Sequence, residues 1–150
     1  MTKEVLITIK GLQTLNQEEE ATELVMVVVG SYYHRNGCHF IVYDEVMEEF
    51  QEVTHNIVKA KDDAVEVRKK GVANVHMVFE EQKKNVTFYN TPFGNMQMGL
   101  SATKISVNET AENLDIVIDY ALEINEEHVA DCCLNMNVKA KGAGDFSLSS

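Results

Sequence analysis

A single all-β domain, closed into a mostly antiparallel, up-and-down β-barrel of about 8–10 strands, is what three features of this 150-residue chain predict. Apolar and polar residues alternate with period two through most of its length. Turn-forming residues recur at hairpin spacing. The many long strands would leave two unpaired edges if the sheet stayed flat, and closure is the solution that removes them.

The alternation is clearest near the C-terminal end, where Leu114, Ile116, Ile118, Tyr120, Leu122 and Ile124 are interleaved with Asp115, Val117, Asp119, Ala121 and Glu123. Successive side chains of a strand point to opposite faces, so this segment has one dry face. The next repeats it, with Cys132, Leu134, Met136, Val138 and Ala140 on one side and Asn135, Asn137, Lys139 and Lys141 on the other. Earlier strands are read in "EVLITIKGLQ" from Glu4, "ELVMVVVGSYYH" from Glu23, "HFIVYDE" from His39, "THNIVKA" from Thr54, "AVEVRKK" from Ala64, "NVHMVF" from Asn74, "NVTFY" from Asn85 and "MQMGLSATKISV" from Met96. Two acidic segments, "NQEEEATEL" and "EVMEEFQEV", have the length of a helical turn but not of a helix that covers a sheet. The barrel domain is expected over residues 1–141, followed by a flexible Gly/Ser-rich tail, 142–150, with Phe146 as its anchor.

Asn36-Gly37 supplies the two positive-φ positions of a type I′ turn. Counting outward pairs Arg35 with Cys38, His34 with His39, Tyr33 with Phe40, Tyr32 with Ile41 and Gly30 with Tyr43, an aromatic ring filling the gap opposite a glycine. His34 and His39 then face each other, but two imidazoles alone make a weak metal site. "TPFG" reads as a turn, with Pro92 presetting φ and Gly94 accepting the geometry that follows.

Thirteen basic against 24 acidic residues give a formal charge of -11. Binding a phosphate backbone relies on Lys and Arg displacing counterions, so neither nucleic acid nor an anionic membrane is an expected partner. The N-terminal "MTKEVLITIKGL" alternates instead of carrying a continuous apolar run, and no segment approaches the ~20 apolar residues that span a bilayer. A cytoplasmic protein is expected. Cys38, Cys132 and Cys133 lack CxxC spacing, which suits reduced thiols. No GxSxG, HExxH, P-loop or dinucleotide-binding glycine pattern is present, so neither an enzyme nor a bound cofactor or metal is expected.

An apolar strand ending in Gly-x-Tyr, a "YDE" strand end, a basic strand closed by Gly71, "YNTPFG", then Thr103 and Tyr120 follow one another in an order that resembles the YwiB-like family of small bacterial proteins. The resemblance runs from about Val5 to Val138. It implies a calycin-like barrel, related in shape to lipocalins, and a family whose function is unknown.

The candidate site follows from strand parity. Tyr43 and Glu45 share a face, as do Tyr89 and Thr91, and Lys69 shares its face with Val65 and Val67. A carboxylate on a dry face requires a cationic partner, which places Arg68 or Lys69 beside Glu45. The expected ligand site in the barrel mouth is therefore Tyr43, Glu45, Arg68 or Lys69, Tyr89 and Thr91, and the resemblance adds Thr103 beyond. The leading expectation is a non-catalytic barrel that binds a small molecule. The alternative is a homodimeric interaction module, because the second and third strands carry apolar residues on both faces: Met26, Val28, Tyr32, Ile41 and Tyr43 on one, Val25, Val27, Val29, Tyr33, Phe40 and Val42 on the other.

Overall fold

The structure, a computed structural model, describes residues 3–15, 22–47, 52–71, 74–92 and 94–140. The glutamates at 18–20 and 48–49, Phe93 and the expected tail with its Phe146 lie outside the described residues, and so does the expected domain boundary.

Ten strands follow in order: β1 (Lys3–Leu15), β2 (Thr22–Arg35), β3 (Cys38–Met47), β4 (Glu52–Lys61), β5 (Ala64–Lys70), β6 (Val75–Glu80), β7 (Lys84–Thr91), β8 (Gly94–Glu109), β9 (Asn113–Ile124) and β10 (Glu127–Ala140). They form one sheet in the order β6-β5-β4-β3-β2-β1-β10-β9-β8-β7, and every ladder is antiparallel. The two acidic segments read as helical turns contribute strand at Thr22–Leu24, Glu45–Met47 and Glu52–Val53; the residues between lie outside the description. Pairing of β1 with β10 brings the first and last described strands together, and the wall curls round until β6 meets β7.

That meeting is a seam. Among the described residues one bridge joins it, Asn74 to Asn90, each N–H donating to the other's carbonyl at 2.9 Å. The β6–β7 turn is stitched instead to β8, with Gln82 N–H donating to the Ala102 carbonyl at 2.9 Å and Ile105 N–H to the Glu81 carboxylate at 3.0 Å. Those bonds occupy the bulge between Ala102 and Lys104, where β8 turns aside from β9.

Inward positions follow the alternation. Val5, Ile7, Tyr32, Ile41, Val58, Val65, Phe79, Leu100, Leu114, Ile116, Ile118 and Val138 are fully buried and form one core. Fully burying each such side chain contributes about 1.5–3 kcal/mol. The core reaches the end of the barrel marked by the Asn36-Gly37 turn, where φ is +50° and +77° and the pairs run from Arg35↔Cys38 to Gly30↔Tyr43 as the turn dictates.

Beyond Gly30↔Tyr43 the ladder between β2 and β3 stops, although both strands continue. β2 stays paired with β1 as far as Gln13↔Thr22, and β3 with β4 as far as Met47↔Glu52. The wall thus forks towards the opposite end. Gly30 sits at the crotch: a Cβ there would lie 2.5 Å from the Val42 carbonyl oxygen and 2.7 Å from Ile7 Cδ1. Only glycine allows the strands to approach so closely before they part.

Candidate functional site

At the forked end, four strands bring polar side chains to the inner face. Directly opposed residues of an antiparallel pair share a face. Tyr43 faces Asn56, Glu45 faces Thr54, and Asn56 faces Lys69 in the next ladder. Lys69 Nζ donates to Glu45 Oε1 at 2.8 Å and to Asn56 Oδ1 at 2.8 Å, and Asn56 Nδ2 donates to Glu45 Oε1 at 3.2 Å and to the Thr54 carbonyl at 3.3 Å. The Lys69 and Glu45 side chains are 20% and 28% exposed, whereas Asn56 and Thr54 are buried. The pair reaches the mouth; its scaffold does not.

Two features distinguish the cluster from a closed ion-pair network. An ammonium group has three donors, and two of those on Lys69 are used among the described residues. The Thr54 hydroxyl is buried and has no hydrogen-bond partner among the described residues. Leaving such a group unpaired costs on the order of 1–3 kcal/mol. Tyr43 and Tyr89 complete the lining. Burial, then the Glu45 charge, pushes both phenols above their ordinary pKa, so both are neutral donors near neutrality.

Of the residues expected here from sequence, Tyr43, Glu45, Lys69 and Tyr89 converge, and the choice between the two basic residues falls on Lys69. Arg68 lies on the outer face, exposed, with Ile57 and His76 as its cross-strand neighbours. It cannot reach Glu45 because its parity is opposite. Thr103 is also displaced: it occupies the β8 bulge, exposed, with its hydroxyl donating to the Asp119 carbonyl at 3.2 Å. Thr103 is itself the extra residue, skipped between Ala102↔Tyr120 and Lys104↔Asp119, and it follows directly on the buried Ala102, so it turns outward. Thr91 closes the β7–β8 hairpin opposite Gly94; its side chain lies outside the description. Thr54 and Asn56 were not anticipated. The signal was available, since they share the parity of the buried Val58 and Ala60 on the same strand.

The fork adds an outer recess of about 320 Å³, lined by Glu4, Val29, Gly30, Ser31, Val42, Tyr43 and Asp44. At the opposite end, His34 and His39 do face each other, with ring centroids 5.0 Å apart, but the Tyr32 hydroxyl bonds His39 Nδ1 at 2.8 Å and engages that nitrogen. Among the described residues no group of three or more His, Cys, Asp or Glu side chains is placed to hold a metal ion.

The fold and cluster define a ten-stranded antiparallel barrel, forked at one end around a polar inner cluster. The chain belongs to the family described as "Domain of unknown function (DUF1934)", which matches residues 7–136. The crystal structure of the ywiB protein from Bacillus subtilis has the same fold: the two superpose with a TM-score of 0.82 over 94% of each chain, at 15% sequence identity. No functionally curated protein matches the chain.

Proposed function

We propose that the protein is a non-catalytic binding barrel that takes a small, neutral, acceptor-bearing molecule at its forked end. The observation that carries this reading is the Thr54 hydroxyl, buried without a partner among the described residues beside an ion pair whose ammonium uses two of its three donors there. Glu45 and Lys69 offset each other's charge. What remains is a donor surplus from Lys69, Thr54, Tyr43 and Tyr89, which suits an amide, carbonyl or sugar oxygen better than an anion that would face Glu45. The apolar part of the ligand lies against Met77, which flanks Val67 one step deeper along β5 and β6, and against Met96, the cross-strand neighbour of Tyr89. Flexible thioethers adapt to irregular shapes.

The binding test is a thermal-shift screen of neutral amides, lactones and sugars, with hits confirmed by calorimetry. Affinity is expected to fall at least tenfold, about 1.4 kcal/mol, in Lys69→Met and in Thr54→Val, and to stay unchanged in Arg68→Gln on the outer face. Hits that bind Lys69→Met and Thr54→Val as tightly as the parent would refute the site.

A further inference from the structure

The free edge of β2 is the second unusual feature of the fork. From Thr22 to Val29 its backbone is paired on one side only, with β1, and the edge that faced β3 nearer the turn carries no ladder among the described residues. Here six consecutive residues, Leu24, Val25, Met26, Val27, Val28 and Val29, carry neither charge nor proline. Leu24 is 71% exposed, Val25 55%, Val27 59% and Val29 47%. Leu24 has the inward parity of Met26 and Val28, so the strand projects past the core and presents apolar side chains from both faces. An exposed, uncharged, apolar strand edge is a template for pairing, and folded proteins blunt such edges with Lys, Pro or bulges unless something covers them. None of those devices is present along this stretch.

We propose that this edge is the docking surface for a second copy of the chain, joined by antiparallel β2–β2 pairing across a two-fold axis perpendicular to the sheet. Two arguments select this occupant. A two-fold contact must be self-complementary, and antiparallel pairing about such an axis sets residues of equal parity opposite each other. Centred on Met26, it pairs Val25 with Val27 and Leu24 with Val28, apolar against apolar throughout, while Glu23 faces Val29 and not its own copy. The second argument is electrostatic. Each chain carries a formal charge of -11, so two copies repel over most of their surfaces and can approach where charge is absent, along residues 24–29.

Sedimentation across micromolar concentrations tests the proposal. A dimer is expected, weakened on the order of tenfold or more by Val27→Lys, because each lysine then stands opposite the apolar Val25 of the other copy, and both charges lie near the axis on one face. Leu24→Lys serves as the second variant, its side chain being largely in solvent already. Phe88→Lys, on the exposed outer side of β7, is expected to leave the dimer intact. Hydrogen exchange supplies an independent readout: those amides of 22–29 that point away from β1 should gain protection as concentration rises. A monomer throughout the range, or a dimer indifferent to both lysine variants, overturns the proposal. So does protection that does not change with concentration, which would mean that the edge is covered within its own chain.

Discussion

The two ends of this barrel are made by the same strands and obey different rules. At the end marked by the Asn36-Gly37 turn, the ladders run to completion and the interior is filled by side chains such as Tyr32, Ile41, Leu114 and Val138. At the other end, the β2–β3 ladder stops at Gly30↔Tyr43, inward positions of β3, β4 and β5 turn polar, and a buried hydroxyl has no partner among the described residues. Apolar filling gives stability but few polar groups to hold a ligand. The forked end gives up ladder bonds, and it presents donors without partners among the described residues.

Truncation should expose the difference first. Leu114→Ala, in the filled half, is expected to cost about 2–5 kcal/mol, whereas Met26→Ala on the partly open β2 should cost about 1 kcal/mol. Denaturant unfolding checks both. Equal losses would mean that the forked end is as tightly packed as the other. The boundary between the regimes should be nearly as sensitive: Gly30→Ala drives a methyl group into the Val42 carbonyl and Ile7, for a loss of about 2–3 kcal/mol. A neutral Gly30→Ala would show that the strands are free to separate at the crotch.

Within the polar cluster, opposite signs are expected for two neighbours. Glu45→Gln leaves the Lys69 ammonium facing Asn56 without its counter-charge, at a cost of about 1–2 kcal/mol, reduced from the fully buried case because both side chains reach solvent. Thr54→Val removes the orphaned hydroxyl at nearly constant volume and is expected to stabilise the fold by roughly 1 kcal/mol. A stabilised Thr54→Val that loses ligand affinity would show that the forked end holds stability in reserve for binding. A destabilised one would place a hydrogen-bond partner on that hydroxyl within the fold.

Legibility in the sequence divides along the same line. Strand number, the Asn36-Gly37 register and the parity of the core were readable because each depends on local alternation or turn chemistry. Lys69 as the partner of Glu45 was readable only to within one residue, Arg68 being its neighbour in the chain. Parity decides between them, and the mixed "VRKK" run hides where the dry face ends. Thr103 was misplaced because a bulge is a tertiary feature, set here by contacts from Gln82 and Glu81 some twenty residues away. The fork left no local mark, since β2 continues as a well-formed strand whether or not β3 stays beside it. The apolar outer face of β2 was visible as a pattern, but not the fact that its edge is bare.

The smallest expected effect returns to the filled end and concerns pH. Burial lowers the His39 pKa and the neighbouring His34 lowers it further, while Glu109 and Asp62 act in the opposite direction without reversing the sign. The Tyr32 phenol, pushed up to about 12 by burial and then by Glu109, remains protonated and shares a 2.8 Å hydrogen bond with His39 Nδ1. In the unfolded chain His39 takes up a proton near pH 6.5, above the value at which the folded chain does so. The unfolded state therefore binds more protons in that window. The stability contributed by neutral His39 is fully present above about pH 6.5 and is lost as pH falls through the lowered folded value. The expected signature is a shallow decline in midpoint between pH 6.5 and the carboxylate range, which His39→Gln flattens while Glu45→Gln at the forked end leaves it in place. A slope that survives His39→Gln would assign the proton uptake to another group and leave the filled end without a pH response of its own.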